Sequence, residues 1–228
     1  MEARRILQFG GELILGAHCP GCGLAGLGVC SRCRCAIATS PFEVPGLSAD
    51  TPVVVAGGRY EAALRRLLLA AKERDALGAV PVLGDRLAAA MALLLLARPE
   101  AAEAEVVLVP VPTARAAAAA RGLDLTLSLA QIAARRLHAA GVPARVGAGL
   151  KLVRRPVDQA ELDREGRLAN LTGAFRAGRL PAGGLVVVDD IVTTGATLVE
   201  AFRALRAAGR EPLAAATVAA TMRWAGLS

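Results

Sequence analysis

The sequence predicts an α/β protein built on an open, mostly parallel sheet, and three observations carry that prediction. Apolar runs recur at residues 52–56, 106–109, 185–188 and 213–220 with almost no polar alternation inside them, the mark of strands buried on both faces. Helical periodicity fills the intervals, for example Leu64, Leu67, Leu68 and Ala71 on one face of residues 60–74. Ahead of all this lies a short cysteine-rich stretch with too little apolar content to fold alone. The expected domains are therefore 1–40, an N-terminal helix and metal knuckle; 41–51, a Pro- and Gly-containing linker; and 52–228, the α/β body.

Residues 1–15 predict a short helix with Ile6, Leu7, Leu13 and Ile14 facing the body. Cys19-Pro-Gly-Cys22 and Cys30-Ser-Arg-Cys33 follow, separated by seven residues. Two such pairs bring four thiolates together, and a tetrahedral Zn²⁺ is their natural partner. A disulfide or a redox pair needs a different compartment or a thioredoxin-like context, which this chain lacks. Cys35 is a spectator or a substitute for Cys33, and His18 reads as a surface residue. A strand at 52–56 is broken by Gly57-Gly58, and a helix over 60–74 carries Lys72 among its charges. Residues 82–98 form a buried helix rich in Leu and Ala.

The strand 106–109 runs into Pro110-Val111-Pro112-Thr113. Two prolines stiffen a loop at a strand's carboxyl end, where open α/β sheets place their ligands. Arg115 and Arg121 lie just beyond, before a helix over 125–140. Residues 150–159 leave a strand for a charged, proline-broken segment containing Arg154, Arg155 and Gln159. A polar helix over 162–171 and a loop over 178–184 precede the stretch on which the chain is organised.

That stretch reads LVVVDDIVTTGATL over 185–198. A buried strand ends in Asp189 and Asp190; a turn of Thr193, Thr194, Gly195, Ala196 and Thr197 opens a helix over 197–208. Unpaired N–H groups and the helix dipole make such a turn a phosphate site. Gly195 permits close backbone approach, and the threonine hydroxyls add donors. Carboxylates placed beside it accept hydrogen bonds from vicinal ribose hydroxyls or hold a divalent ion that carries them. A haloacid-dehalogenase-type phosphatase would need Asp-x-Asp, and position 191 is Ile. A P-loop needs Gly-x-x-x-x-Gly-Lys-Ser/Thr, and neither of the two lysines, Lys72 and Lys151, sits in that setting.

The formal net charge of +7 and a pI near 9.9 favour anionic partners. Aromatic residues make up 3% of the chain, so no stacking platform for bases is legible. The longest apolar run, 87–97, lies between Arg86 and Arg98 and is too short to span a bilayer. Near the N-terminus, Gly10, Gly11 and Glu12 interrupt the apolar patch, and His18 before Cys19 makes a poor lipoprotein box. The expectation is a cytoplasmic protein with no membrane span.

The 185–198 stretch resembles the phosphoribosyl pyrophosphate (PRPP) signature of type I phosphoribosyltransferases. Four features in one order extend the resemblance: the paired Cys-x-x-Cys, Tyr60 with Lys72, VPVPTAR followed by RGLD, and RRPVDQ ahead of GAF and VVVDDIVTTGAT. That order is similar to the ComF family, zinc-knuckle proteins with a phosphoribosyltransferase domain linked to DNA-uptake competence, and covers almost the whole chain. The resemblance implies a type I phosphoribosyltransferase fold. It implies that Asp189 and Asp190 hold the ribose hydroxyls, that residues 193–197 wrap the 5′-phosphate, and that Val111 and Pro112 belong to the pyrophosphate loop. It further implies a closing loop with Arg154, Arg155 and Gln159 as catalytic residues, structural zinc on Cys19, Cys22, Cys30 and Cys33, and Mg²⁺ bridging the pyrophosphate. Arg115 and Arg121 are candidate phosphate contacts, and Lys72 is a candidate ligand-binding residue. Leu123 and Asp124 depart from the family's Phe-Asn. Two functions are expected: transfer of phosphoribosyl to an acceptor with loss of pyrophosphate, or a non-catalytic PRPP- or nucleotide-sensing module that engages single-stranded DNA or a DNA-uptake partner.

Overall fold

The computed structural model describes residues 18–45, 51–73, 76–102, 104–113, 123–154, 166 and 170–221. The helix expected over 1–15 lies outside them, as do most of the polar helix expected over 162–171 and the C-terminal Trp224. After the knuckle comes a short helix, α1 (Ser31–Ile37), and then strands β1 (Phe42–Val44) and β2 (Val53–Ala56). Helices α2 (Ala62–Glu73) and α3 (Val80–Ala97) lead to β3 (Val106–Pro110), and α4 (Leu125–Ala139) leads to β4 (Ala144–Val146). Strands β5 (Leu150–Leu152) and β6 (Phe175–Ala177) pair with each other, and β7 (Gly184–Val192), α5 (Ala196–Arg206) and β8 (Pro212–Ala220) complete the body.

The main sheet has six strands in the order β1-β2-β8-β7-β3-β4. All neighbours are parallel except β1 against β2. The mostly parallel α/β architecture expected from the apolar runs is therefore present. Side-chain alternation splits each central strand between two layers. Val106 and Leu108 of β3, with Val186 and Val188 of β7, pack in one core with α2, α3 and α4. Val107 and Val109, with Leu185 and Val187, pack in a second core with Leu198, Phe202 and Leu205 of α5. A strand covered on both faces has to be apolar throughout, which is why these runs show no polar alternation.

Connectivity reverses in the middle of the sheet. From β3 the chain passes through α4 to β4 on one side, and from β7 it passes through α5 to β8 on the other. The β3–β7 pair is thus a topological switch point, and ligands of open α/β sheets lie outside the carboxyl ends of strands at such points. Here β7 overruns its neighbour: Pro110 pairs with Val188, while β7 continues along β8 to the pair Val192–Ala220.

Two local expectations are corrected. Residues 41–51 were expected as linker, but Phe42–Val44 form the antiparallel edge strand, with Phe42 opposite Ala56 and Val44 opposite Val54. Asp189 and Asp190 were expected after the strand. The β7–β8 ladder runs through them, with Asp189 opposite Thr217 and Ile191 opposite Ala219. A carboxylate ends an apolar pattern without ending backbone pairing, so polarity placed the strand end too early.

The middle of the sandwich is thin. Ala214, Ala215, Ala216, Ala219 and Ala220 of β8 are all buried. Gly57, after β2, has no room for a side chain: a Cβ there would meet the backbone oxygens of Arg86 and Val218. Helix α3 with the turn before it, Leu77–Ala97, is long and apolar enough to cross a membrane by length and composition, with a mean hydropathy of 1.8. It is a core helix here, with Leu83, Leu87, Ala90, Met91 and Leu94 buried in the first layer.

Candidate functional site

The knuckle gathers Cys19, Cys22, Cys30 and Cys33 so that their four sulfurs lie within 4.8 Å of one another. Sulfurs tetrahedrally placed about 2.3 Å from one zinc ion stand about 3.8 Å apart. The Cys22–Cys30 sulfur separation is 3.6 Å, close to that spacing. The turns are built for it. Gly21 has no space for a Cβ beside the Cys33 sulfur, and the Cys30 N–H donates to Cys19 Sγ at 3.4 Å.

Electrostatics point the same way. Burial opposes the Cys19 thiolate, but N–H groups of Cys30, Gly21 and Cys22 converge on its sulfur and bring its pKa down to about 6. Burial, and then the other three sulfurs, push Cys33 up to about 12. One thiolate is easily held here; four need a cation, and the four cysteines could bind zinc. Cys35 and His18 are exposed and outside the group.

The knuckle is seated on the body. Cys19, Val29, Cys33 and Ile37 belong to the same core as Leu64 and Leu67 of α2. Arg66 of α2 donates to the Gly21 carbonyl, and Arg86 of α3 donates to the carbonyls of Thr39 and Gly57.

The second group lies where β7 overruns β3. Asp189 and Asp190 are buried. The Asp190 N–H donates to Asp189 Oδ1 at 2.8 Å. Burial, with Asp190 beside it, pushes the Asp189 carboxyl up to about 8. Lys72, at the last turn of α2, places Nζ 2.6 Å from Asp190 Oδ2. Burial alone would lower the lysine pKa; the charge and hydrogen bond of Asp190, then Asp189 and Tyr60, outweigh it and raise the value.

Past β7, the turn reaches α5 through Gly195, whose φ of 77° lies in the left-handed region that an L side chain resists. Gly195, at the N-cap position, has no side chain to cap this helix, and the Ala196 N–H donates to Thr194 Oγ1 at 3.5 Å. The Gly195 carbonyl already accepts from Val199. Gly195 and Ala196 are buried, Thr194 and Thr197 half-buried, and Thr193 exposed. The helix therefore presents a positive end a few residues from two acids.

On the β3 side, Val111 donates its N–H to the Val188 carbonyl at 2.9 Å, which seats the proline loop against β7. Pro112 and Thr113 are half-buried. Asp124 caps α4, accepting from the Leu127 N–H at 3.1 Å, and the same oxygen accepts from Thr113 Oγ1 at 3.1 Å. The departure at Asp124 thus has a structural use. One carboxylate ties the end of the proline loop to the start of the next helix.

Arg154 is exposed and donates through Nη2 to the carbonyls of Asn170 at 2.6 Å and Thr172 at 2.9 Å. It braces the chain entering β6. Arg155, Gln159, Arg115 and Arg121 lie outside the described residues.

Sequence reasoning missed the clamp that joins the β5–β6 pair to α5. Buried Glu200 accepts from the Phe175 N–H at 2.9 Å, and Arg203 donates to both Glu200 oxygens and to the Phe175 carbonyl at 3.1 Å. Burial would raise the Glu200 pKa, but Arg203 and the N–H groups of Phe175 and Gly173 outweigh it and lower it. The Glu200–Arg203 spacing was a visible helical ion pair; its main-chain partner 25 residues upstream had no local signal.

No family model and no curated protein matches the chain. Solved structures similar to it include the crystal structure of orotate phosphoribosyltransferase from Aeropyrum pernix, at 18% identity and a TM-score of 0.36, covering 86% of this chain and 83% of that one. Another is the structure of Leishmania donovani UMP synthase, at 16% identity and a TM-score of 0.36, covering 83% of this chain and 31% of that one.

Proposed function

We propose that the chain is a PRPP-binding phosphoribosyltransferase of the ComF type, with a small zinc unit (1–40) and a phosphoribosyltransferase body (52–228) whose sheet is edged by residues 42–44. The observation that carries this reading is one juxtaposition. Two buried carboxylates, a threonine-rich turn and a helix start with glycine at its N-cap stand together outside the switch point of a parallel sheet. The helix start and residues 193–197 suit a phosphomonoester, and the acids suit a vicinal diol a few ångströms away. Val111, hydrogen-bonded to β7, and the stiff Pro112 after it suit the pyrophosphate side.

In this reading a nucleophilic acceptor attacks ribose C1 as the bond to pyrophosphate breaks and the pyrophosphate leaves; Mg²⁺ bound with PRPP would supply charge neutralisation to that leaving group. The chain's own residues position the two phosphate ends and the ribose between them, which is the larger part of such catalysis. Arg154, Arg155, Gln159 and Arg115 remain candidates for closing over that substrate. Helix α3 buries Leu83, Leu87, Met91 and Leu94 in the body, which supports the reading of a cytoplasmic protein.

Calorimetry with PRPP and Mg²⁺ tests the binding step, and pyrophosphate release with a panel of nucleobases tests turnover. Saturable binding lost in Asp189→Asn/Asp190→Asn, with release tracking one base, is expected. Binding without release would assign a sensing module, with engagement of single-stranded DNA or an uptake protein as its next test. Undiminished affinity in the double variant would remove the acids from the sugar.

A further inference from the structure

Lys72 is separated from Asp190 by more than a hundred residues of sequence, yet the two form a close ion pair. Nζ lies 2.6 Å from Asp190 Oδ2, and only 10% of the carboxylate side chain is exposed. Asp189 stands alongside, and Tyr60 faces the same ammonium. The ammonium already occupies one oxygen of the pair, and its charge opposes a divalent ion approaching the others. We propose that Lys72 is the built-in counter-cation of the acidic pair, so that the acids receive a neutral diol without a divalent ion bound to them.

The placement follows from the fold. Helix α2 is fixed at one end by Leu64 and Leu67 against the knuckle, and its last turn brings Lys72 over the overhang of β7. Lysine suits this position: an ammonium has three donors on a flexible stem, so one can hold Asp190 while others stay available to ligand oxygens. The inference deepens the proposed function, resting on it only for the nature of the ligand; any divalent ion accompanying the substrate is then held by phosphate oxygens. Two carboxylates with no cation among them would instead form an ordinary hard-cation site.

Binding of Mn²⁺ alone, followed by electron paramagnetic resonance on protein carrying its knuckle metal, tests the proposal without PRPP. Wild type and Lys72→Arg should bind Mn²⁺ no better than background at the acids. Lys72→Met and Lys72→Gln should each gain one site, tighter by about 10- to 1,000-fold, the range expected when a close opposing charge is removed. Adding Asp190→Asn to either should abolish that site. Mn²⁺ bound by wild type as tightly as by Lys72→Met would overturn the proposal, and so would failure of both uncharged variants, shown folded by their melting curves, to bind it. A protein with the expected Mn²⁺ pattern but no affinity for PRPP would sink the proposed function and leave the counter-cation standing.

Discussion

Asp189→Asn should make the protein more stable, and increasingly so as the pH rises. The variant keeps the shape of the site. Its amide oxygen can still accept from the Asp190 N–H, as Asp189 Oδ1 does at 2.8 Å, and its NH₂ group can donate toward the neighbouring carboxylate. What it removes is a proton uptake. The unfolded carboxyl ionises at its ordinary 3.8 and the folded one at about 8, so between those values the native state holds a proton that the unfolded state has lost. A group raised in this way weakens folding as pH climbs through the window, by up to ~1.4 kcal/mol per pH unit for one full proton. From about pH 5 to about pH 7.5 the wild type should therefore lose up to about 3 kcal/mol relative to the variant. Urea melts across that range read the difference directly. Each kcal/mol is also worth about 2–4 °C in Tm for a chain of this length. Parallel pH profiles, or a variant less stable at the upper end, would refute the argument that Asp189 is retained at a folding cost for its ligand.

Three further outcomes are expected. Asp124→Ala should cost about 1 kcal/mol through loss of the α4 cap and its tie to Thr113, and Asp124→Asn should recover most of it in thermal melts. Glu200→Ala should cost about 2–3 kcal/mol in chemical denaturation, because it strands the buried Phe175 N–H and the paired Arg203; Glu200→Gln, which keeps an acceptor, should lose less. Chelation should raise hydrogen exchange in residues 18–37 and also in α2 around Leu64 and Leu67, since the knuckle shares their core. Unchanged protection of α2 would show that the knuckle comes away cleanly.

The elements that position the candidate site were mostly legible because periodicity and apolar runs are local signals. The face Leu64, Leu67, Leu68 and Ala71 is buried as its spacing indicates. The knuckle was legible for the same reason: two tight turns bring four ligands together from a span of only fifteen residues. Strands β1, β4 and β6 were not, since each has three residues and too short a pattern to show a period. The β7 overhang hid behind its own acids. The Lys72–Asp190 pair and the Glu200–Phe175 contact join distant parts of the chain, and no spacing rule reports such partners. Asp124 was a readable helix start, an acid immediately before an apolar periodic run, although its second bond to Thr113 was not.

The alanines of β8 leave almost no slack at the waist of the molecule. At Ala214 and Ala216 a single methyl group is all that the strand beside β7 puts into the layer it shares with α3, and a Cβ at Gly57 would meet backbone oxygens. Changing Ala216 to Val would act as a wedge, at a cost of about 1–3 kcal/mol. The strain would travel outward along a hinge line: the Gly57-Gly58 bend, the Tyr60 N–H bonded to the Ala220 carbonyl, and then α2. Bulk added in the sheet would thus be read at the Lys72–Asp190 pair, as a gap between an ammonium and a carboxylate.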